Sequence, residues 1–226
     1  MSDLFRKPLT EKYRPGTWGA VVGQEKVVAR LQALAKRNAL TGRAFWLSGQ
    51  SGTGKTTIAR LIAQEVADEF MIEEVDATSL TVPALAELEK ASYLSGWGDK
   101  RGRAFIENEA HGLRKDVIRQ FLVVLERVPA HVVWIFTTTC EGQESLFENY
   151  SDGSPLLSRC LDFPLARRGL AEAFAARAKQ IAEQEGLDGR PVKDYLRLVQ
   201  DHKNNFRAVI QSIESGEMIA GKDGGA

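Results

Sequence analysis

The stretch Ala44-Phe-Trp-Leu-Ser48 followed by Gly49-Gln50-Ser51-Gly52-Thr53-Gly54-Lys55-Thr56-Thr57 decides how this chain is read. A short apolar run feeds a loop of the form G-x-x-x-x-G-K-[ST], and a helical pattern follows directly. The glycines let the backbone curl until its N–H groups converge on phosphate oxygens. The helix behind the loop adds its positive N-terminal dipole. Lys55 places a cation on the outer phosphates, and the Thr56 hydroxyl suits the coordination shell of Mg²⁺. The expected ligands are therefore a nucleoside triphosphate and Mg²⁺.

Working outward, short buried strands alternate with helices. Apolar positions 27, 28, 31, 34 and 35 mark a helix within Glu25–Leu40, and further helices are expected at Thr56–Phe70, Ala84–Leu94 and Arg114–Glu126. Strands are expected at Met71–Val75, Ala104–Ile106 and Val132–Thr138 (VVWIFTT). This alternation predicts an α/β fold with a parallel sheet covered on both faces. Beyond Phe163–Pro164 no strand pattern is read. Residues 167–185, Val192–Leu198 and Asn205–Ser215 give a small all-helical domain. The expected organisation is a nucleotide-binding domain over 1–164, a helical lid over 165–220 and a flexible tail over 221–226.

Composition narrows the class. The 226 residues carry 30 basic and 30 acidic side chains, so the formal net charge is zero, with 43% hydrophobic residues. That balance excludes a disordered chain. No apolar run is long enough to span a bilayer, and no secretory leader is read at the N-terminus, so a soluble, cytoplasmic or nucleoid- or nucleus-associated location is expected, not a secreted one. Two cysteines exclude a disulfide framework and a four-thiolate zinc site. The zero is an average: residues 1–60 sum to +8 and residues 61–100 to −7.

Phosphate-loop NTPases place a metal-side acid at the end of a second strand, with a glutamate beside it to polarise water. The candidate is Ala104-Phe-Ile-Glu107-Asn108-Glu109-Ala-His111, in which Asn108 takes the metal-side position and Glu109 the catalytic-base position. An amide oxygen can hold a metal-bound water but adds no negative charge, so weaker Mg²⁺ binding or slower turnover is expected. Glu107 belongs on the opposite face of the strand. His111 reads as a surface or packing residue.

Glu11-Lys-Tyr13-Arg14-Pro15, Val21-Val22-Gly23-Gln-Glu25 and Leu156-Leu-Ser158-Arg159-Cys160 give the chain a specific resemblance. So does the spacing from Asn108-Glu109 to Leu125-Glu126-Arg-Val-Pro129. Over about residues 9–215 the sequence resembles the clamp-loader AAA+ ATPases, meaning the small subunits of replication factor C and the gamma/tau subunit of bacterial DNA polymerase III. The resemblance implies the AAA+ P-loop NTPase fold with a lid. It implies adenine contacts from Tyr13, Arg14, Pro15, Val21, Val22 and Gly23, and a first sensor at Thr138 or Thr139. It implies an arginine finger at Arg159, which enters a neighbouring subunit's site to neutralise charge on the transferred phosphoryl group. Arg207, in Asn204-Asn205-Phe206-Arg207, falls at the second sensor. Cys160 reads as a packing residue.

The partners implied are other AAA+ subunits with ATP at their interfaces, a sliding clamp, and primer–template DNA gripped through its phosphates. Arg114, Lys115 and Arg119 on one helix, and Lys100, Arg101 and Arg103 in the loop before the acidic strand, are the candidate DNA contacts. The gamma/tau zinc module, the Arg-Arg pair of the eukaryotic and archaeal branch (Leu122 and Val123 here) and the third, collar domain are read as missing. Clamp loading is the leading expectation. The alternatives are a collarless DNA-remodelling or helicase-loader ATPase, and a non-hydrolysing ATP-binding subunit that supplies Arg159 to a partner.

Overall fold

The computed structural model describes residues 7–139, 143–144, 153–166 and 168–219. The segments outside these ranges include the expected tail, which therefore lies outside the described residues. In chain order the helices are α1 (Leu9–Lys12), α2 (Glu25–Ala35), α3 (Lys55–Val66), α4 (Val82–Ser92), α5 (Lys115–Val124), α6 (Gly153–Ser158), α7 (Ala171–Glu185), α8 (Val192–Asp201) and α9 (Phe206–Glu214). The strands are β1 (Arg43–Ser48), β2 (Ile72–Asp76), β3 (Arg103–Asn108), β4 (Val132–Thr138) and β5 (Cys160–Pro164).

The chain divides into two compact units. One holds Lys26–Gly49 and Gly54–Leu165; the other holds the described residues up to Glu25, Gln50–Thr53 and those from Ala166 onward.

The first unit is a five-stranded parallel sheet in the order β2-β3-β4-β1-β5. β4 is buried along its whole length, as a central parallel strand covered on both faces must be. The pleat sorts its side chains into two layers. Trp46, Phe105, Trp134 and Phe136 face α5 and form the aromatic layer with Phe121. There Phe105 stacks on Trp134 at 4.4 Å, and Phe121 meets Phe136 edge-on at 5.0 Å. Phe45, Leu47, Ile106 and Ile135 alternate onto the other face and are also buried, as are Ile58 and Ile62 of α3. Because every strand runs the same way, Ser48, Asp76, Asn108 and Thr138 end on one edge of the sheet. Ligands of open parallel sheets bind at that edge.

β5 is a strand where none was expected. It pairs with β1 from Ala44↔Cys160 to Ser48↔Pro164. Only Phe163 is buried on it, against Phe45 at 5.9 Å, and the Arg30 guanidinium lies 4.4 Å from its ring. A one-sided edge strand ending in proline carries no alternating signal strong enough to read from sequence.

In the second unit Phe174, Ala178 and Ile181 of α7 pack with Tyr195, Leu198 and Val199 of α8 and Val209, Ile210 and Ile213 of α9. Leu9 is buried in that core, and Tyr13 and Val22 lie against it. Among the described residues no helix is long and apolar enough to cross a membrane.

Candidate nucleotide-binding and catalytic site

The phosphate loop begins where β1 runs out. Gly49 donates its N–H to Thr138 O at 3.2 Å, which ties the loop to the end of β4. Gly52 (φ +74°) and Gly54 (φ +102°) adopt the left-handed conformation that only glycine takes without strain, and Gly54 is the N-cap of α3. Lys55, the first residue of α3, is buried and donates to Gly49 O at 3.0 Å. A lysine that bonds its own loop carbonyl is placed over the cradle the loop encloses. The Thr53 hydroxyl donates to Gln50 O at 2.8 Å, and Ser51 is exposed at the loop tip. Thr57 lies one residue further into α3.

Facing Thr56 is the end of β3. The Thr56 hydroxyl donates to Asn108 Oδ1 at 3.4 Å, and Thr137 donates to the same oxygen at 2.9 Å. Asn108 Nδ2 donates to Glu74 Oε1 at 2.7 Å, and Arg60 Nε donates to Glu74 Oε2 at 2.8 Å. A hydroxyl and an amide carbonyl side by side are hard oxygen donors of the kind Mg²⁺ takes. The residues present therefore fit a magnesium nucleotide, with Thr56 and Asn108 as the groups that would hold the ion.

Glu109 follows immediately in the left-handed region, with φ 53° and ψ 48°. A non-glycine residue there costs about 1–2 kcal/mol and is kept where the surroundings demand it. The turn points Glu109 at His111, with Oε2 3.4 Å from Nδ1, and the same Nδ1 lies 3.2 Å from Thr138 Oγ1. His111, read from sequence as packing, is thus the group that touches both Glu109 and the end of β4. Thr139 lies one residue beyond the strand. Thr137, which the sequence reading passed over, bonds Asn108.

Glu107 is fully buried on the aromatic face, away from Thr56. Neither carboxylate oxygen has a hydrogen-bond partner among the described residues. Burial pushes its carboxyl up to about 8, and the negative charge of Glu73 adds to the rise. It does not replace the charge missing at Asn108.

Arg159 follows α6. Its Nη2 bonds Glu126 Oε1 at 2.6 Å and its Nη1 bonds Pro155 O at 3.0 Å. Cys160 beside it donates to Leu156 O at 3.4 Å, and burial followed by the charge of Asp162 pushes its thiol up to about 12.

In the helical unit, Tyr13 donates to Glu185 Oε1 at 2.5 Å and Arg14 pairs with Glu11. Gly23 (φ +79°) lies against Leu170 and Phe174, so Val22 and Gly23 form a wall on the helical core. Gln24, missed in the sequence, is buried. Its amide takes the Ala166 N–H at 2.8 Å, gives to Ala166 O at 3.2 Å and gives to Thr53 O at 3.4 Å. Gly52 abuts the start of α9, where Asn205 accepts from Ala208 N as N-cap, and Arg207 is exposed one residue into that helix.

The candidate DNA residues fall in two groups at opposite ends of β3. Arg103 opens β3 and bonds Leu94 O, with Glu73 nearby, and Arg101 precedes it. Arg114, Lys115 and Arg119 follow the other end of the strand. Six residues of parallel strand put roughly 20 Å between the two groups.

The order of strands, the loop between β1 and α3 and the polar end of β3 make this a P-loop NTPase fold of the AAA+ class. The matching family model is the TIP49 P-loop domain, over residues 9–93. The chain is 30% identical over 188 residues to the replication factor C small subunit of Haloarcula marismortui, covering 79% of this chain and 55% of that protein. It is 32% identical over 184 residues to the DNA polymerase III subunit tau of Escherichia coli, covering 70% of this chain and 26% of that protein. A RuvB structure from Thermotoga maritima superposes with a TM-score of 0.68 at 20% identity, covering 90% of this chain and 65% of that one, and speaks for the fold alone. The chain is a homologue of the clamp-loader AAA+ proteins, and it spans about half the length, or less, of these relatives.

Proposed function

We propose that this chain is an ATP-driven clamp-loader subunit, which binds ATP with Mg²⁺, assembles with other AAA+ subunits and places a sliding clamp on primer–template DNA in the replicating cytoplasm. The observation that carries the reading is the cluster at the sheet edge. Buried Lys55 turns onto its own loop, Thr56 and Thr137 converge on Asn108, and Glu109 is held in a strained turn beside them. Its homologues add the class of assembly.

The proposed roles follow from chemistry. Lys55 neutralises the phosphate charge, and the loop amides orient the phosphates. Glu109 orients the attacking water and takes its proton, with His111 and Thr138 fixing its side chain. Bound Mg²⁺ would supply charge neutralisation. Thr138 and Thr139 at the end of β4 and Arg207 on α9 are the proposed sensors, and Tyr13–Pro15 with Val21–Gly23 the proposed adenine contacts. Arg159 is the proposed arginine finger for a neighbour. The exposed side chains of Phe70, Tyr93, Leu94 and Trp97 supply apolar surface for a protein partner. Because Asn108 is neutral, hydrolysis is proposed to be slower than at an aspartate. The same residue favours a second reading, in which the subunit holds ATP without hydrolysing it and lends Arg159 to an active partner.

Nucleotide binding and turnover test both readings. Lys55→Ala should weaken a fluorescent ATP analogue by at least about tenfold. Glu109→Gln should keep binding while lowering turnover by about a hundredfold or more. Tight binding with no turnover, alone or with clamp and primed DNA, would leave the second reading. No ATP binding by the wild type would end both.

A further inference from the structure

Asn108 is chemically two-faced. One side of its amide is an acceptor and the other a donor, so a metal-side asparagine is useful only if the carbonyl faces the metal. We infer that Glu74 is the positioning residue that settles this, and that the Glu74–Asn108 pair stands where an aspartate would stand alone. The inference rests on the nucleotide reading above.

Four observations support it. Glu74 Oε1 lies 2.7 Å from Asn108 Nδ2. An ionised carboxylate only accepts, so the reversed amide would press oxygen on oxygen. Glu74 is itself held: Arg60 Nε donates to its other oxygen at 2.8 Å, from the same helix that begins with Lys55. Glu74 pairs in register with Ile106, two residues before Asn108, so its side chain lies on the face shared by Ile106 and Asn108. On the far side of the amide, the two threonine hydroxyls find the acceptor they need in Oδ1, at 2.9 Å from Thr137 and 3.4 Å from Thr56. A carboxylate accepting from the N–H side also polarises the amide and makes its carbonyl oxygen a better ligand. Glu107 is excluded from this role because it is buried on the opposite face.

The arrangement predicts a specific dependence between the two positions. An aspartate at 108 presents an oxygen whichever way it turns, and it would meet Glu74 as a like charge. Glu74 should therefore matter with asparagine at 108 and not with aspartate.

The experiment uses the full chain as wild type, Glu74→Met, Glu74→Gln, Asn108→Asp and the Glu74→Met/Asn108→Asp double variant. Mn²⁺ is titrated in the presence of ATPγS and free Mn²⁺ is read by electron paramagnetic resonance. Affinity for a fluorescent ATP analogue in EDTA reports the pocket without metal, and thermal melting reports folding. Glu74→Met, whose thioether is only a weak acceptor, should weaken Mn²⁺ binding about tenfold, at the lower end of what removing a ligand's supporting group costs. Glu74→Gln, which keeps an acceptor, should stay within about threefold of wild type, and Glu74→Met added to Asn108→Asp should not weaken Mn²⁺ binding by more than about twofold. Metal-free nucleotide affinity should be unchanged in Glu74→Met and Glu74→Gln, and should not differ between Asn108→Asp and the double variant by more than about twofold. Glu74→Ser, too short to reach Asn108, repeats the comparison if Glu74→Met does not fold. Equal losses with and without Asn108→Asp, equal losses for Met and Gln, or no loss at all would overturn the inference while leaving the nucleotide reading intact. A wild type that binds neither the analogue nor Mn²⁺ with ATPγS would overturn both.

Discussion

Gly52 shows how much a single residue of the phosphate loop must satisfy. A β-carbon added there would lie 2.0 Å from Asn205 Oδ1 and 3.0 Å from the Phe206 nitrogen, at a backbone φ of +74°. Asn205 is the N-cap of α9, the helix that carries Arg207. A side chain at position 52 is therefore blocked by a capping group as well as by its own backbone. Gly52→Ala is expected to cost about 1–3 kcal/mol, from left-handed strain and a displaced cap together. Urea unfolding should show a lower midpoint, and affinity for an ATP analogue should fall, because Asn205 cannot withdraw without uncapping α9. Gly54 is the contrasting position, since nothing lies within 4 Å of a β-carbon built there. Its glycine answers to conformation alone, with φ at +102°.

At the scale of elements, β3 works because of its pleat. Ile106 and Asn108 face one way, Phe105 and Glu107 the other, so the same six residues deliver a polar end to the phosphate loop and, to an aromatic core, a carboxyl with no hydrogen-bond partner among the described residues. That carboxyl is a burden on the fold. Glu107→Leu is expected to stabilise the protein by about 1–3 kcal/mol, the cost of a buried polar group without a partner, read as a higher urea midpoint with unchanged slope. The sequence made β1, β3 and β4 legible through their buried apolar residues, and the edge strand β2, expected at Met71–Val75, also forms, at Ile72–Asp76; the loop after β1 carries its own chemistry in Lys55 and Thr56. β5 was not legible, because an edge strand needs only one inward residue, here Phe163, and its register comes from pairing with β1. Gln24, Glu74 and Thr137 escaped for a related reason. Each acts through a partner more than 25 residues away in sequence, at Ala166, Asn108 and Asn108 respectively, and no local pattern records such a pairing. Cys160 on β5 gives a further test. With its thiol pushed up to about 12, it is protonated at neutral pH, and its thiolate grows only as pH climbs toward that value. In a Cys140→Ser background, alkylation by iodoacetamide at pH 8 should run roughly a hundredfold slower than for free cysteine and accelerate up to pH 10 and above.

For the whole molecule the decisive residue is Arg159, because its proposed partner lies on another chain. Within this chain its guanidinium is held by Glu126 at 2.6 Å and by Pro155 O at 3.0 Å. The Glu126 contact is an exposed ion pair, and such pairs are worth about 0–1 kcal/mol, so a neighbour's phosphates could displace it readily. On the proposed finger role Glu126 is a resting place rather than a lock, and Glu126→Ala should leave turnover within about threefold of wild type. The stronger test separates a finger acting in trans from one acting at its own site. Arg159→Ala removes the finger but keeps Glu109; Glu109→Gln removes the base but keeps the finger. Each variant alone should be inactive. In an assembly joined head to tail, a site built from the Glu109 of one subunit and the Arg159 of the next is complete when the first is the Arg159→Ala variant and the second the Glu109→Gln variant. Random mixing at equal amounts makes about a quarter of the sites complete, so turnover should recover to about a quarter of the wild-type rate. Recovery should appear only under conditions where ATP and primed DNA bring the chains together, which sedimentation of the same mixture would show. A mixture no more active than its two components, although assembled, would place Arg159 outside the neighbour's site and leave the Glu126 pair as its whole role.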